Sequence, residues 1–281
     1  YITMVAVDEA HCVSQWGHSF RKDYYNIPEF IKALPTRPLV AAFTATATPE
    51  VRQDIIRRLD IPGASIVCTG FDRPNLHFAV QRTRDKDRSL LEFLRKHDKQ
   101  CGVIYCATRS KVESVTQQLQ RHGFKALRYH AGLTPEERRN NQNAFVGGLV
   151  PLIVATNAFG MGIDKADVRF VVHYNMPKDV ESYYQEAGRA GRDGLESECL
   201  LLYDKADIAV NTYLIGHDQP DLAWKAHEME LLQKMTFYCN TSGCLRRVLL
   251  EYFGEKAPAK CNHCGNCDAN KNASWRRFLD L

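Results

Sequence analysis

The chain has 281 residues, of which 44% are hydrophobic and 25% are charged. This composition is typical of a globular protein, and the length predicts two or three domains. No apolar run approaches the roughly 18 residues that a membrane-spanning helix needs, and no signal peptide opens the sequence. We therefore expect no membrane partner. The formal charge of +4 permits nucleic-acid binding without arguing for it.

The first predicted element is a strand over 3–7, which ends at Asp8 and Glu9. An apolar run that ends in two carboxylates predicts a buried parallel strand delivering acids to the carboxyl edge of a sheet, where open α/β folds bind ligands. One carboxylate there can hold a hydrated Mg²⁺ that bridges nucleotide phosphates, and its neighbour can orient the attacking water. The alternative is that both acids only cap the next helix. The apolar strand and His11 favour the first interpretation.

Four aromatic or basic side chains follow closely: Trp16, His18, Phe20 and Arg21. Flat rings can stack on unpaired bases, and a guanidinium can meet phosphate, although an aromatic turn in the core is the alternative. Together with Asp8-Glu-Ala-His11, this loop resembles motif II and the aromatic-rich loop of the RecQ family of DNA helicases. The resemblance implies that the loop senses single-stranded DNA and relays it to an ATP site.

The rest of the first region predicts a short helix, a second buried strand, a helix with Thr48 as its N-cap, and a final strand. These elements lie over 27–34, 38–43, 49–59 and 65–69. The threonine-rich run 44–48 resembles helicase motif III, which in the family couples nucleotide state to lobe movement. As an isolated feature it is weak, because β-branched residues are common at strand ends.

A turn-rich connector, Phe71–Asn75, precedes a regular alternation of strands and helices. Strands are predicted over 76–82, 102–106, 125–129, 151–155, 169–174 and 197–203, and helices over 86–97, 109–122, 134–146 and 179–190. Alternation of this kind predicts a mainly parallel sheet with helices on both faces. The pattern resembles the second RecA-like lobe of a superfamily-two helicase.

Several strand ends in this region carry family motifs. The segments 102–109 and 156–164 resemble motifs IV and V, and 129–133 resembles a segment that touches the DNA backbone. An ordinary βα loop capped by Thr134 is the alternative for 129–133. The resemblance implies DNA contacts by His130, Gly132 and Thr156, and a place for Asp164 in the nucleotide-linked network between the lobes.

The segment 183–194 contains Gln185, Arg189 and Arg192, spaced four and three residues apart. On a helix these side chains share one face. Gly188 and Gly191 each cost about 1 kcal/mol relative to alanine in a helix, which indicates that another backbone or a nucleotide comes close. A solvated arginine face is the alternative. The row resembles motif VI, which implies that Arg192 is an arginine finger and Arg189 its neighbour at the phosphates.

The last predicted region is helical, over 206–216, 220–238 and 244–253, and it contains the clustered cysteines Cys244, Cys261, Cys264 and Cys267. Four thiolates at this spacing can close a tetrahedral shell around Zn²⁺, although a Cys-x-x-Cys-x-x-Cys triplet also suits an iron–sulfur cluster. The pattern resembles the RecQ zinc-binding subdomain, which implies a structural zinc site. We expect His263 and Cys239 to be bystanders.

The other six cysteines are scattered: Cys12, Cys68, Cys101, Cys106, Cys199 and Cys239. They predict small buried thiols in a reducing cytoplasm rather than a disulfide framework. The resemblance to bacterial RecQ helicases likewise implies a cytoplasmic, nucleoid-associated protein.

The architecture that the resemblance implies is α/β with three units: part of a first RecA-like lobe (1–70), a complete second RecA-like lobe (71–204), and a helical zinc-binding subdomain (205–281). The implied function is an ATP-dependent 3′–5′ DNA helicase in recombination and repair, using ATP, Mg²⁺ and structural Zn²⁺ on single-stranded and partly duplex DNA. Protein partners stay unspecified.

Two features complicate that interpretation, and two rival functions stay open. No Gly-x-x-x-x-Gly-Lys-Ser/Thr loop occurs in the sequence, so we expect a fragment or truncated product. The family's winged-helix and further domains are also not expected before Leu281. The rival functions are a catalytically inactive single-stranded-DNA and zinc-binding fragment, and an RNA helicase of the Asp-Glu-Ala-His type.

Overall fold

Two parallel sheets organise the chain in a computed structural model that describes residues 1–14, 22–160, 165–218 and 222–269. The first sheet has two strands, β1 (Met4–Val7) and β2 (Leu39–Ala42), which pair in parallel. Among the described residues between them lie two 3₁₀ turns and one helix: Ala10–Val13, Lys22–Tyr25 and α1 (Asn26–Ala33).

The helix α2 (Pro49–Arg58) follows the first sheet. Its N-cap is Thr48, as predicted, and the threonine hydroxyl accepts a hydrogen bond from the Val51 N–H at 3.3 Å. Proline at the first helical position suits this start, because its missing N–H would have no partner in the helix. The core of this region is small, and its buried members are Val7, Ala10, Val13, Ala47, Val51, Ile55 and Leu59.

The prediction that both strands of the first sheet are buried is wrong. Met4 is 56% exposed, and its register partner Leu39 is 69% exposed. A parallel strand is fully buried only where other elements cover both of its faces. Within the described residues, the core built on Val7 and Val51 covers only part of this sheet.

The prediction of a strand over 65–69 is also wrong. This segment has no strand pairing, and it is exposed along its length, with Val67 at 86%. A strand needs a neighbour that satisfies its backbone N–H and C=O groups. None of the described strands pairs with it. Apolar β-branched residues alone therefore did not make a strand here.

The second sheet has six strands, all parallel, as the alternating pattern predicted. They are β3 (Leu76–Arg82), β4 (Gly102–Tyr105), β5 (Ala126–Tyr129), β6 (Leu152–Ala155), β7 (Phe170–His173) and β8 (Ser197–Tyr203). Their spatial order is β3-β8-β7-β4-β6-β5. The inner strands β4, β6 and β7 are buried at every residue.

Helices cover both faces of this sheet: α3 (Lys86–Lys96), α4 (Arg109–Arg121), α5 (Pro135–Val146) and α6 (Val180–Ala187). The apolar residues of α3 and α4 pack with Ile104 and Val172 on one face. Those of α6 pack with Val103 and Val171 on the other. Alternate residues of each strand thus enter two separate cores, as the two-residue period of a strand requires.

Three further helices follow β8: α7 (Ala206–Asp218), α8 (Leu222–Asn240) and α9 (Leu245–Tyr252). α8 and α9 contribute Leu232, Met235 and Leu249 to the same core as α6. The helical region and the second sheet therefore share one core. Within the described ranges, no helix is both long and apolar enough to cross a membrane.

Candidate functional site

The two acids predicted to serve nucleotide chemistry lie directly after β1. Asp8 is exposed, and its Oδ1 accepts a hydrogen bond from the Glu9 N–H at 2.8 Å. Glu9 has a left-handed backbone, with φ 46° and ψ 44°. This conformation is uncommon for a residue other than glycine, and strained positions of this kind cluster at functional sites. The strand end therefore turns sharply at the second acid.

His11 connects this turn to the end of β2. The ring is 2% exposed, and its Nδ1 lies 2.9 Å from the Thr44 hydroxyl oxygen and 3.3 Å from Glu9 Oε2. Thr44 in turn contacts the backbone of Thr46, whose N–H donates to the Thr44 hydroxyl at 3.3 Å. The structure thus brings the run that resembles motif III into contact with Glu9 through one buried imidazole.

The row that resembles motif VI is only partly helical, and the predicted helix over 179–190 is too long. α6 ends at Ala187 with Gly188 as its C-cap, and Gly191 has a left-handed backbone with φ 56°. Gln185 lies on the helix, whereas Arg189 and Arg192 lie in the turn that follows. The expectation of one shared helical face is therefore wrong for the two arginines, because the glycines end the helix before them.

Arg189 packs against the segment that resembles motif V. Its Nη1 donates to the Gly160 carbonyl at 2.6 Å. A Cβ on Gly160 would lie 2.1 Å from Arg189 Nη2, so only glycine leaves room for the guanidinium. Arg189 and Gln185 are half-buried, while Arg192 is exposed. An arginine side chain therefore makes the close approach at Gly160.

The connector before β3 holds the motif VI turn. Arg73 donates to three of its carbonyls, those of Gly188, Ala190 and Gly191, at 3.3, 3.1 and 2.9 Å. Asn75 Nδ2 donates to the carbonyl of Gly191 at 2.8 Å. A Cβ on Gly191 would lie 2.5 Å from that nitrogen. The sequence had indicated only a turn-rich connector, and no local pattern marks Arg73 or Asn75 as partners of a segment more than 100 residues away.

Three of the predicted DNA-contact residues, His130, Gly132 and Thr156, follow strands β5 and β6 at the carboxyl edge of the second sheet. His130 is 5% exposed, its Nε2 lies 2.8 Å from Glu113 Oε1, and its Nδ1 accepts from the Gly132 N–H at 3.2 Å. Gly132 is exposed at the tip of this turn, and Thr156 is 8% exposed at the end of β6. The imidazole therefore shapes the turn from inside, and the exposed backbone at Gly132 faces outward.

The helix after this turn has the predicted cap. The Thr134 hydroxyl accepts from the Glu137 N–H at 3.1 Å, and α5 begins at Pro135. Helix N-termini and glycine-bearing turns offer free N–H groups to phosphate oxygens.

A cavity of about 370 Å³ lies at the carboxyl ends of β4 and β7. The chain leaves these adjacent strands through α4 and α6, on opposite faces of the sheet, and such a switch point is where open α/β sheets bind ligands. His173 lines the cavity, is fully buried, and its Nε2 lies 2.9 Å from Glu186 Oε2. Asn157 of the motif V segment also lines it. Neither His173 nor Glu186 was singled out by the sequence.

The four clustered cysteines converge as predicted. The sulfur atoms of Cys244, Cys261, Cys264 and Cys267 all lie within 4.8 Å of one another. A tetrahedral zinc site with Zn–S near 2.3 Å requires sulfur separations of about 3.8 Å, and Cys244 and Cys264 are 4.0 Å apart. Burial raises the pKa of the Cys261 thiol to about 12, and a divalent cation would reverse that cost by binding the thiolate. The residues therefore fit a structural zinc ion.

Neither expected bystander adds a side-chain ligand to the sulfur cluster, although the His263 backbone N–H donates to Cys261 Sγ at 3.3 Å. His263 Nε2 lies 3.1 Å from Glu196 Oε2, and Cys239 is buried in α8 outside the four-thiol group. All ten cysteines are free. Of the six scattered ones, four are buried, Cys101 is half-buried, and Cys68 is exposed, so the prediction of buried thiols fails for Cys68. Its segment, 65–69, is the one that does not form a strand.

Five predicted site residues lie outside the described residues. They are Trp16, His18, Phe20 and Arg21 of the aromatic loop, and Asp164 of the motif V segment.

Comparison with known proteins first defines the class. The family described as helicase conserved C-terminal domain matches residues 85–194. The solved structure of Saccharomyces cerevisiae Dbp5 bound to RNA and ADP BeF3 superposes with a TM-score of 0.62 at 20% identity, covering 83% of this chain and 63% of that one. At that identity the likeness shows the fold, which is that of RecA-like helicase lobes.

The helical region narrows the class further. The RecQ zinc-binding family matches residues 205–268. The ATP-dependent DNA helicase RecQ of Bacillus subtilis is 46% identical over 97% of this chain and 46% of its own length. RecQ of Pasteurella multocida is 41% identical over 95% of this chain and 42% of its own length. The chain belongs to the RecQ helicase family, and it spans less than half the length of these relatives.

Proposed function

We propose that this chain is the motor region of an ATP-dependent 3′–5′ DNA helicase, acting on single-stranded and partly duplex DNA during recombination and repair in the bacterial cytoplasm. One observation carries the proposal. His11 lies between the Glu9 carboxylate at 3.3 Å and the Thr44 hydroxyl at 2.9 Å. A buried ring in contact with both motifs is suited to transmit nucleotide state from the acids to the rest of the lobe.

In this proposal the two acids divide the nucleotide chemistry. The exposed Asp8 carboxylate holds Mg²⁺, which when bound neutralises charge on the ATP phosphates. Glu9 orients and deprotonates the attacking water. The left-handed backbone at Glu9 supports this assignment, because it turns the second carboxylate away from the strand direction of the first. His11 positions Glu9.

Motif VI supplies positive charge to the same reaction. We assign Arg192 as the arginine finger and Arg189 as its neighbour at the phosphates, with Gln185 and Asp164 linking the lobes. The exposed position of Arg192 in a glycine-bounded turn supports a role in which it reaches across a cleft. A finger of this type stabilises the transferring phosphoryl group and is worth about 10³ to 10⁵ in rate in the best cases.

Single-stranded DNA lies along the carboxyl edge of the second sheet in this proposal. The backbone at Gly132 and the hydroxyl of Thr156 contact phosphates, and His130 holds the turn through its bond to Glu113. The loop residues Trp16, His18, Phe20 and Arg21 stack on or contact the bases. The units 1–70, 71–204 and 205–281 then act as nucleotide, coupling and zinc-stabilised segments.

Steady-state ATP turnover of this chain with Mg²⁺ tests the proposal, with and without single-stranded DNA. Turnover that DNA stimulates and that Glu9→Gln abolishes would support the proposal. DNA binding without turnover would instead support the rival function, a non-catalytic DNA- and zinc-binding protein, since the chain has no Gly-Lys-Ser/Thr loop. Stimulation by RNA but not DNA would favour an RNA helicase.

A further inference from the structure

The zinc ligand Cys244 marks the start of α9. It is the N-cap of the helix, and its sulfur accepts a hydrogen bond from the Arg247 N–H at 3.5 Å. Arg246, two residues after the ligand, lies in the first turn of α9 and is 6% exposed. Any cation that holds the Cys244 thiolate therefore also fixes the point from which the Arg246 side chain departs.

Arg246 donates hydrogen bonds to the connector and to the first residue of β3. Its Nη1 donates to Asp72 Oδ1 and to the Arg73 carbonyl, each at 2.6 Å. Its Nη2 donates to the Leu76 carbonyl at 2.5 Å. A guanidinium buried this deeply is stable only while its donors are satisfied, and its planar fork tolerates little displacement of the acceptors. The connector backbone is therefore held in register with α9.

Arg73 faces the other way, towards motif VI. Its three bonds reach the carbonyls of Gly188, Ala190 and Gly191, as described above. Gly188 is the C-cap of α6, and Ala190 and Gly191 lie in the turn that follows it. A guanidinium bonded to all three carbonyls fixes the direction of that turn.

A second contact ties the connector to the residues that follow α9. The Phe71 ring stacks on Phe253 with centroids 4.5 Å apart and planes 12° apart. The Phe71 N–H donates to Glu255 Oε1 at 2.7 Å, and the Tyr184 hydroxyl of α6 donates to the Phe71 carbonyl. The connector is thus bound on one side by the zinc-bearing region and on the other by the motif VI helix and turn.

We propose that Arg246 and Arg73 form a relay through which the zinc site positions the turn that carries Arg189 and Arg192. Arg246 and Arg73 are positioning residues, since neither is placed at the nucleotide. The proposal rests on the function proposed above, because it gives the turn its importance. It adds that zinc binding by the four cysteines sets the geometry of the motif VI turn.

Hydrogen exchange measured by mass spectrometry on the zinc-loaded full chain tests the relay without requiring ATP turnover. The variants are Arg73→Gln, Arg73→Lys and Arg246→Gln. The matched controls are Arg247→Gln, an exposed neighbour on α9 paired with Glu251, and Arg84→Gln, an exposed arginine after β3. Zinc content is measured in every sample.

We expect Arg73→Gln and Arg246→Gln to accelerate exchange of the amides of 188–195 by about tenfold, the value of about one lost hydrogen bond. Strands β4 and β7 serve as internal references and should keep their protection. Arg73→Lys should give a smaller acceleration than Arg73→Gln, since an ammonium keeps the charge and three donors but lacks the planar fork that spans the separate carbonyls. Unchanged exchange at 188–195, or an equal loss of protection in β4 and β7, would overturn the proposal.

Removing zinc tests the first step of the relay. In the unaltered chain, chelation should accelerate exchange at 188–195 beyond any change in β4 and β7. In Arg246→Gln the same chelation should add much less, because the connection is already cut. An equal added effect of chelation in both proteins would show that zinc acts on the turn by another route, and the relay would be rejected.

If the protein hydrolyses ATP, steady-state kinetics provide a second test of the relay. Arg73→Gln should lower kcat with little change in KM, and it should add little in an Arg192→Ala background. Absence of turnover in the unaltered chain would count against the proposed function while leaving the exchange results to decide the relay. A normal kcat in Arg73→Gln, alongside faster exchange, would overturn the finger-positioning role.

Discussion

The two sheets of this chain contrast in how completely their strands are enclosed. Both are parallel, and both are built from short apolar runs. In the second sheet Val103, Ile153 and Val171 are at most 1% exposed, whereas Met4 and Leu39 of the first are 56% and 69% exposed. Strand identity in both regions follows from the sequence, but burial follows from the number of covered faces.

The contrast extends to the candidate sites. The acids after β1 stand on a sheet with one small core, where His11 joins Glu9 to Thr44 of the same small region. The motif VI turn stands on a six-stranded sheet whose core extends into the zinc-bearing helices. Contacts within one small region therefore organise the first site, whereas contacts between residues more than 100 positions apart in the chain organise the second. Four predictions test that difference, from the largest expected effect to the smallest.

Loss of a zinc ligand should affect the second region far more than the first. Cys264 is fully buried and forms a backbone bridge to Phe78 of β3, so the metal site joins the sheet edge to the helices. We expect Cys264→Ser to abolish zinc binding by the four-cysteine cluster and to cost at least about 5 kcal/mol of unfolding free energy. Metal analysis and denaturant unfolding measure this, with Cys68→Ser as the exposed control. A stable, zinc-free Cys264→Ser protein would refute the coupling.

Removing an aromatic ring should cost much more unfolding free energy in the second sheet than beside the first, because only the ring in the second sheet is buried. Phe170 in β7 is fully buried, while Phe43, just after β2, is 57% exposed. We expect Phe170→Ala to cost about 3–5 kcal/mol, because it leaves a cavity, and Phe43→Ala to cost under about 1 kcal/mol. Denaturant midpoints of both variants give the comparison. Similar costs would mean that the first sheet is enclosed in solution.

The two regions should also respond oppositely to acid. Burial, reinforced by the charge of Asp179, raises the pKa of Glu181 to about 7. Stability from this group therefore increases as pH falls from about 7 towards its ordinary 4.5, and it is lost as pH rises through 7. Near the first sheet, bonds from Ser14, Arg58 and Arg57 outweigh burial and lower the pKa of Asp54, which loses its stabilising effect only below about pH 4.

The substitution Glu181→Gln tests this assignment. A glutamine can still accept the Tyr252 hydroxyl bond but carries no charge. We expect it to stabilise the chain at pH 8 by about 1–3 kcal/mol and to flatten the rise in stability between pH 8 and pH 5. Unfolding curves at several pH values measure it, with the exposed Glu92→Gln as control. An unchanged pH profile would rule out Glu181 as the titrating group.

The smallest predicted effect is the loss of a helix N-cap, which should cost a similar unfolding free energy in both regions. Thr48 caps α2 near the first sheet, and Thr134 caps α5 on the second, each through its hydroxyl at 3.3 and 3.1 Å. We expect alanine at either position to cost about 1 kcal/mol, because capping depends on local backbone geometry rather than on enclosure. Denaturant unfolding of the two variants checks this. A clear difference would show that tertiary surroundings modify even local caps.

Most of the fold was predictable because its elements are marked locally. The strands at 102–106 and 151–155 are continuous apolar runs. Thr48 and Thr134 are N-cap residues that mark the starts of α2 and α5. The cysteine spacing likewise predicted the sulfur cluster. The errors arose where a local pattern lacked its partner. Residues 65–69 are apolar but unpaired, and the helix predicted through 190 stops at Ala187 because Gly188 and Gly191 favour a turn.

The sequence by itself determined the order and type of the strands and helices of the second sheet, the position of the acids after β1, and the four thiols of the metal site, since apolar periodicity, caps and short spacings act over a few residues. Only the tertiary structure decided which strands are buried and which groups hold the motif VI turn. Arg73 and Arg246 find their acceptors 115 to 174 residues away. Such partners are chosen by how the sheet and helices pack, and no local pattern encodes them.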